Sequence, residues 1–492
     1  MICKGLLREN CVSPCSYVNG EKRKYCRSRK VSAPKGECKG LTQENCFPPC
    51  SYVNKTRKYC KKSTKGIKRS KKDEARKIGN FMMRKRDKNT SLFLKTVCTD
   101  SGVCIAFGKE TEKIKKFFDN FVFNYKKSQR GISEGANGVV YEIKYEKLDY
   151  NAYTIIKIAK KKKSDNLIYE YLVGMLFINT CYKKFPCFLE TYNWCVNPTT
   201  SRPTFSTSVD IKKLINTSCR NPTDIGIQLE YLKNATTLKS MIHDLDFWKN
   251  DILPVLFQIY FPLCCLGDTF THYDLHTSNV LLFTPVKDSY IHYHYHAEKV
   301  ISFKTRYISK IIDYGRSFFK TPTVSSVDIR DKVCGDASCN VTTLCGKDLG
   351  YKNLMDPHIV LPPDSNYINS SISNKSHDLR LLFIISYYYK NMNTALKPLY
   401  STFRGISKIN ITDVFLKNIV FGKNPYGTKE MNGSEFPVST INIDDALLFL
   451  SRICSTDGFI KNNDDFYDPL KKIGDLHIYA DGRNMEFIPS PA

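Results

Sequence analysis

Apolar positions along the chain gather into short blocks whose periods predict elements. Ile132-Ser133-Glu134-Gly135-Ala136-Asn137-Gly138-Val139-Val140-Tyr141 reads as a Gly-rich hairpin turn running into β-branched strand residues. Tyr153 to Ala159 is a β-rich strand with one charge, Lys157, embedded in it. Asn166 to Ile178 carries a helical pattern that includes Glu170, and Ile227 to Leu232 reads as a buried strand running into a connector. The longest apolar stretch, Ile252 to Leu266, contains Pro254 and Pro262 and is shorter than a bilayer-spanning helix, so a buried core helix is predicted. A further β-branched strand, Tyr307 to Ile312, ends in Asp313-Tyr314-Gly315.

Composition sets the scale of what these blocks can build. A chain of 492 residues exceeds one ordinary domain, and 42% apolar content can fill a sizeable core. The formal net charge of +27 is unevenly spread: residues 1–90 hold 26 Lys/Arg against 7 Asp/Glu, and residues 91–492 hold 49 against 41. Lys61 to Lys88 is dense in charge and poor in apolar residues, which predicts a solvated basic linker. Such a tract suits weak electrostatic contact of residues 1–90 with nucleic acid or an acidic protein. Met1-Ile2-Cys3-Lys4-Gly5 opens no continuous apolar run and is followed by no small-residue cleavage site, so secretion by a signal peptide is not expected.

The basic region also repeats itself. Cys3-Lys4-Gly5-Leu6 recurs as Cys38-Lys39-Gly40-Leu41, and each unit continues through Pro-Cys-Ser-Tyr-Val-Asn to Arg-Lys-Tyr-Cys. Each unit carries four cysteines: Cys3, Cys11, Cys15 and Cys26, then Cys38, Cys46, Cys50 and Cys60. Units this short need staples, and four thiols allow two disulfides or one tetrahedral Zn²⁺. The spacing lacks C-x₂-C knuckles, which favours disulfides; zinc remains the alternative.

Chemistry concentrates at His272-Tyr273-Asp274-Leu275-His276-Thr277-Ser278-Asn279, which spaces an Asp and an Asn five residues apart just after the long apolar run. Phosphoryl transfer needs a carboxylate to orient the attacking hydroxyl and an amide oxygen to hold Mg²⁺. Asp274 and Asn279 suit those roles. A Gly-rich turn lets backbone N–H groups approach phosphates, which points to Gly135 and Gly138. Lys157 is costly in an apolar strand unless paired, and Glu170 is its natural counter-ion. Asp313 is the expected principal Mg²⁺ ligand, and the connector at Glu230 to Leu232 offers backbone to an adenine.

In this order, from about Phe117 to about Cys454, the chain resembles the eukaryotic-type protein kinase superfamily. More narrowly it is similar to the divergent serine/threonine protein kinases of nucleocytoplasmic large DNA viruses, on Thr271 to Val280, Cys98 to Lys109 and the cysteine repeats. The resemblance implies an α+β, two-lobed kinase-like fold, with a β-rich N-lobe, a helical C-lobe and a small Cys-rich N-terminal appendage. The implied organisation is two Cys-rich repeats in 1–60 (roughly 1–30 and 36–62), a basic linker at 61–90, an extension and N-lobe at 91–232, and a C-lobe with insertions at 233–492. It implies ATP and Mg²⁺ as cofactors, viral or host protein substrates, no membrane span, and a place in the virion or host cytoplasm. Asp274, Lys157 and Glu170 would be catalytic; Gly135, Gly138, Lys157, Glu230 and Leu232 would bind nucleotide; Asn279 and Asp313 would hold the metal. Asp378 is similar to the Asp that anchors the catalytic-loop backbone from a C-lobe helix. The repeats look like Cys-containing adaptor modules, which implies interaction.

Three departures stand out. His276 occupies the place where protein-serine kinases usually carry Lys, a choice also seen in small-molecule phosphotransferases of the aminoglycoside kinase type. An insertion, Thr284 to Thr305, lengthens the gap to Asp313, and no Ala-Pro-Glu-like anchor lies between Asp313 and Asp378. The alternatives are a small-molecule phosphotransferase, or a pseudokinase or virion scaffold with a nucleic-acid-binding appendage. His292, His294 and His296 would share one face of a strand, where they could ligate a metal; an exposed strand in a surface insertion is the favoured expectation. Cys334, Cys339 and Cys345 lie where a disulfide could gate substrate access, but scattered structural thiols are the favoured expectation.

Overall fold

A computed structural model describes residues 15–19, 24–28, 50–54, 58–62, 115, 119–121, 126–134, 138–147, 150–159, 167–198, 204–214, 225–232, 234–329, 372–400, 431–432, 436–437 and 440–490. The chain divides into two compact units, residues 1–77 and 78–492. In the first, each cysteine repeat contributes one antiparallel hairpin: β1 (Cys15–Asn19) with β2 (Lys24–Ser28), and β3 (Cys50–Asn54) with β4 (Lys58–Lys62). Strand length and pairing repeat along with the sequence. The bonding of the cysteines, the basic linker, Cys98 to Lys109, and Cys334, Cys339 and Cys345 lie outside the described residues.

The second unit mixes helix and sheet, an α+β architecture. Its first layer comes from β5 (Lys126–Glu134), β6 (Gly138–Lys147), β7 (Tyr150–Ala159), helix α1 (Leu167–Cys181), β8 (Thr191–Val196), β9 (Thr204–Ser206) and β10 (Ile225–Glu230). The strands form a six-stranded sheet in the order β5-β6-β7-β10-β8-β9. In β7 the period of two is explicit: Thr154, Ile156 and Ile158 are buried while Tyr153, Ile155 and Lys157 on the other face are half-buried. Every residue of β10 is buried, as a central strand requires. Helix α1 lies against β8 so closely that a Cβ on Gly174 would meet Thr191 Oγ1 at 2.1 Å, and from Gly174 to Ile178 the helix widens into a π turn.

The second layer is built round α2 (Ile252–Leu266), which is apolar on all sides and buried from Ile252 through Leu263. By length and composition alone Ile252–Thr269 could cross a membrane, yet 67% of it is buried inside the fold, the signature of a core helix. Around it run the short strands β11 (Thr236–Thr237) and β12 (Phe270–Thr271), then β13 (Val280–Phe283), β14 (Ser289–His296), β15 (Val300–Thr305), β16 (Ile308–Ile311) and β17 (Phe318–Phe319). They are followed by α3 (Arg380–Tyr400), a two-residue pair β18 and β19 (Met431–Asn432, Phe436–Pro437), α4 (Ile443–Cys454), α5 (Asp457–Tyr467), β20 (Lys471–Tyr479) and β21 (Glu486–Pro489). Helix α4 starts at Asn442, whose side chain accepts the Asp445 N–H at 2.9 Å, and α5 starts at Thr456, which accepts from Phe459 at 3.3 Å.

One expectation is corrected here. The insertion at 284–305 is no exposed appendage: β14 is an inner strand of a four-stranded sheet ordered β15-β14-β20-β21. Its Tyr293 and Tyr295 are buried, and Tyr295 packs edge-on against Phe257 and Phe261 of α2 at centroid distances of 4.9 and 4.8 Å. The parallel partner β20, near the end of the sequence, covers what would otherwise be a free edge.

Candidate active site

Lys157 sits mid-strand in β7, opposite Ile227 of β10 and Val140 of β6. Its ammonium donates to Glu170 Oε2 at 2.7 Å and to Asp313 Oδ1 at 3.1 Å, so one cation joins a strand, a helix and the Asp-Tyr-Gly segment. Glu170 is 2% exposed, a burial that a lone carboxylate could not support. Asp313 keeps a side-chain exposure of 42%. Against the cost of leaving water, the charge and hydrogen bond of Lys157, with His272 and Arg316 behind them, hold its carboxyl below the usual range.

Asp313 has φ of +70°, and Tyr273, just before Asp274, has φ of +63°. Left-handed backbone at non-glycine residues is strained and persists where surroundings hold it. For Tyr273 the holder is Asp378, whose two carboxylate oxygens accept the N–H groups of His272 at 2.8 Å and Tyr273 at 2.9 Å. Complete burial pushes the Asp378 carboxyl up to about 7, with these two amide donors pulling against it. His272 accepts the Asp274 N–H at Nδ1 (3.2 Å), so its Nε2 carries the proton and donates to Ile312 O at 3.0 Å. Burial lowers this imidazole to about 4, keeping it neutral, and the ring ties the Asp274 loop to the residue before Asp313.

Asp274 itself is 8% exposed. Arg380 Nη1, on a side chain 2% exposed, donates to its Oδ1 at 3.0 Å, and Arg316 Nε stands 3.8 Å from Oδ2. His276 Nε2 lies 3.4 Å from Oδ1. Its Nδ1 accepts the Ser278 N–H at 3.2 Å, and burial drops the ring to about 3, so His276 faces Asp274 as a neutral N–H group. Asn279 donates its amide N–H to Asp274 O at 3.0 Å, which turns its amide oxygen into an available acceptor. Its own carbonyl accepts the Ile312 N–H at 3.0 Å, so the Asn279 and Asp313 backbones run side by side.

The remaining nucleotide-binding candidates are spread along the sheet. Gly138 is buried at the start of β6 opposite Ala159, two positions before the cross-strand partner of Lys157, whereas Gly135 lies outside the described residues. Glu230 ends β10 and Leu232 follows it, both buried. The Glu230 carboxylate is engaged in the interior: Lys310 Nζ lies 3.2 and 3.1 Å from its two oxygens, and the Glu190 N–H donates at 3.1 Å. The Glu230 N–H is engaged as well, donating to Glu190 O at 2.9 Å.

Sequence reasoning passed over Arg380, Arg316 and Lys310. Arg380 and Lys310 had a legible signal, a charge inside an apolar run (Leu379-Arg380-Leu381-Leu382 and Ile308 to Ile312), the same signal that singled out Lys157. Arg316 carries none. No protein-family model matches this chain, and a search of curated proteins finds no match.

Proposed function

We propose that this protein is an Mg-ATP-dependent phosphotransferase of the serine/threonine protein kinase class, built on a two-lobed kinase-like fold in which the six-stranded sheet is the smaller lobe. The observation that carries the reading is the double engagement of Lys157, with Glu170 on one side and Asp313 on the other. A half-buried cation shared by a buried helix carboxylate and a half-exposed carboxylate is costly as pure architecture, and it suits a site that must fix phosphates beside a metal ligand.

The donor set fits the cofactor. Asn279 and Asp313 offer an amide oxygen and an ionised carboxylate from adjacent backbone, the hard oxygen ligands that Mg²⁺ takes. Bound there, Mg²⁺ would neutralise charge on the transferring phosphoryl group. Lys157, positioned by Glu170, would orient the α- and β-phosphates, and Gly135 and Gly138 are the glycines that would cover them. Asp274 accepts a hydrogen bond from the attacking hydroxyl and aligns it. Arg380 fixes the carboxylate that does this, while Asp378 fixes its backbone. The appendage of Cys-rich repeats and basic linker is read as an interaction region that recruits protein substrates or nucleic acid.

His276 supports a second reading, transfer to a small alcohol, because a neutral imidazole replaces the lysine expected beside a peptide substrate. One assay separates the two: transfer of γ-phosphate from Mg-ATP to a mixed panel of proteins and small alcohols, with Asp274→Asn run beside the wild type. Protein labelling that is lost in the variant supports the kinase; labelling confined to alcohols selects the second reading. Nucleotide binding without any transfer would overturn both in favour of a scaffold.

A further inference from the structure

The solvent face of the β15-β14-β20 sheet carries a cluster that the phosphotransferase reading does not use. In the run Ser289-Tyr290-Ile291-His292-Tyr293-His294-Tyr295-His296 the period of two sends Tyr293 and Tyr295 inward and His292, His294 and His296 outward. The parallel register sets His292 beside Asp475, His294 beside His477 and His296 beside Tyr479. Imidazoles and a carboxylate that are 181 residues apart in sequence therefore stand side by side.

Three groups converge on one oxygen. His294 Nε2 lies 2.9 Å, His292 Nδ1 3.5 Å and Lys472 Nζ 2.8 Å from Asp475 Oδ1. One ligand atom from each of His292, His294 and Asp475 falls within a 4.8 Å cluster. The other ring nitrogen of His294 is 2.9 Å from Ser302 Oγ on β15, the orienting hydrogen bond that metal-bound histidines generally have. Beside them His477 stacks on His294 at 4.7 Å, and His296 Nε2 meets His477 Nδ1 at 2.9 Å, a contact that requires one of the two rings to present a lone pair.

We propose that this face binds a divalent first-row transition-metal ion of the Zn²⁺ class through His292, His294 and Asp475. Two imidazoles and one carboxylate form a borderline donor set that suits such an ion better than Mg²⁺ or Ca²⁺. An ion on His294 Nε2 would require the ring proton on Nδ1, where it donates to Ser302 Oγ; a proton held between Nε2 and Asp475 before binding would be released to water. Lys472 is on the half-exposed edge of the cluster, with 36% side-chain exposure, and swings out to water. The ion would clasp the 284–305 insertion to the last part of the described chain. It is independent of the phosphotransferase reading.

The test uses the full-length protein, stripped with a chelator and titrated with Co²⁺, because the cysteine repeats could also take a metal. Thiolate ligation announces itself by an intense sulfur-to-cobalt charge-transfer band, whereas this site gives weak visible bands alone. The expected result is one Co²⁺ equivalent of nitrogen and oxygen type in the wild type. That equivalent should be lost in His292→Gln/His294→Gln and in Asp475→Asn, with Tm raised by metal in the wild type relative to either variant. Ser302→Ala, which removes no ligand but takes away the hydrogen bond that orients His294, should weaken the same equivalent about 10–100-fold. Both sets of variants must keep the metal-free circular dichroism of the parent. Equal nitrogen and oxygen-type binding by wild type and His292→Gln/His294→Gln, or thiolate-type binding alone, would overturn the proposal.

Discussion

Replacing Arg380 with Met removes the hydrogen bond that holds Asp274 while leaving Lys157, Glu170, Asn279 and Asp313 in place. Methionine keeps most of the buried volume and removes the charge. Arg380 is 2% exposed and the side chain of Asp274 is 11% exposed, so the variant leaves a carboxylate facing a nearly dry surrounding. Removing one partner of a fully buried pair typically costs about 3–5 kcal/mol. Here the loss is smaller, because Arg316 stays 3.8 Å from the other oxygen and the carboxylate keeps its small opening to water. About 2–3 kcal/mol is expected, within the roughly 5–15 kcal/mol that an ordinary domain has, so the variant folds. Turnover should fall on the order of 10²-fold, since a carboxylate displaced by about 1 Å misaligns the acceptor hydroxyl. KM for ATP should change little, because Lys157, Glu170 and Asp313 are untouched.

Urea unfolding and Mg-ATP turnover on Arg380→Met, Asp274→Asn and the double variant complete the cycle. With a neutral amide at position 274 there is no charge left to strand, so the two losses in stability should be non-additive by about 2 kcal/mol. Arg380→Lys, which retains a charge without the planar fork, should fall between wild type and Met. Strict additivity, or a cost below about 0.5 kcal/mol with turnover intact, would refute the idea that Arg380 holds the carboxylate.

Lys157→Met should cut turnover by at least about 10²-fold. It should also destabilise by stranding Glu170, and adding Glu170→Gln should recover stability in urea without recovering turnover; recovery of both would mean that the cation is structural. Asp251, buried against Thr305, Tyr467 and Arg306, has its carboxyl raised by burial from 3.8 to about 6. A raised carboxyl favours the folded state fully below about 3.8 and loses that contribution as pH rises through about 6, a fall of about 3 kcal/mol for two pKa units. Asp378 has the same sign, so the readout is the difference: Asp251→Asn should flatten the decline in urea midpoint between pH 4 and 7 that the wild type shows, and parallel profiles would sink the assignment. Gly174→Ala should cost about 1–3 kcal/mol by driving a methyl into Thr191, measured as a lowered Tm; a neutral result would mean that α1 can withdraw from β8.

What the sequence made legible was local. A lysine in an apolar strand, a glutamate on the following helix, and an Asp and Asn spaced along one loop are readable because each costs too much to be placed there without a partner. The reading failed where the partner came from far along the chain. The alternation of His and Tyr in β14 announces a half-buried strand, but whether its second edge is covered depends on β20, about 180 residues later, and no local pattern carries that pairing. Asp251 and Tyr467, 216 residues apart, were silent for the same reason.

Asp378 and Arg380 show the limit at its finest grain. They stand two residues apart, and in a regular helix such a pair would point to different sides. The turn His377–Leu379 is 3₁₀, and α3 begins only at Arg380. That change of winding lets Asp378 reach the backbone of His272 and Tyr273 while Arg380 reaches the Asp274 side chain in the same loop. One short junction therefore sets both where the loop runs and where its carboxylate points. The sequence displays the acidic and basic residues that do this; the direction each takes is decided by a helix start whose winding depends on the packing around it, including Tyr260 of α2, whose hydroxyl donates to Asp378 O at 2.9 Å.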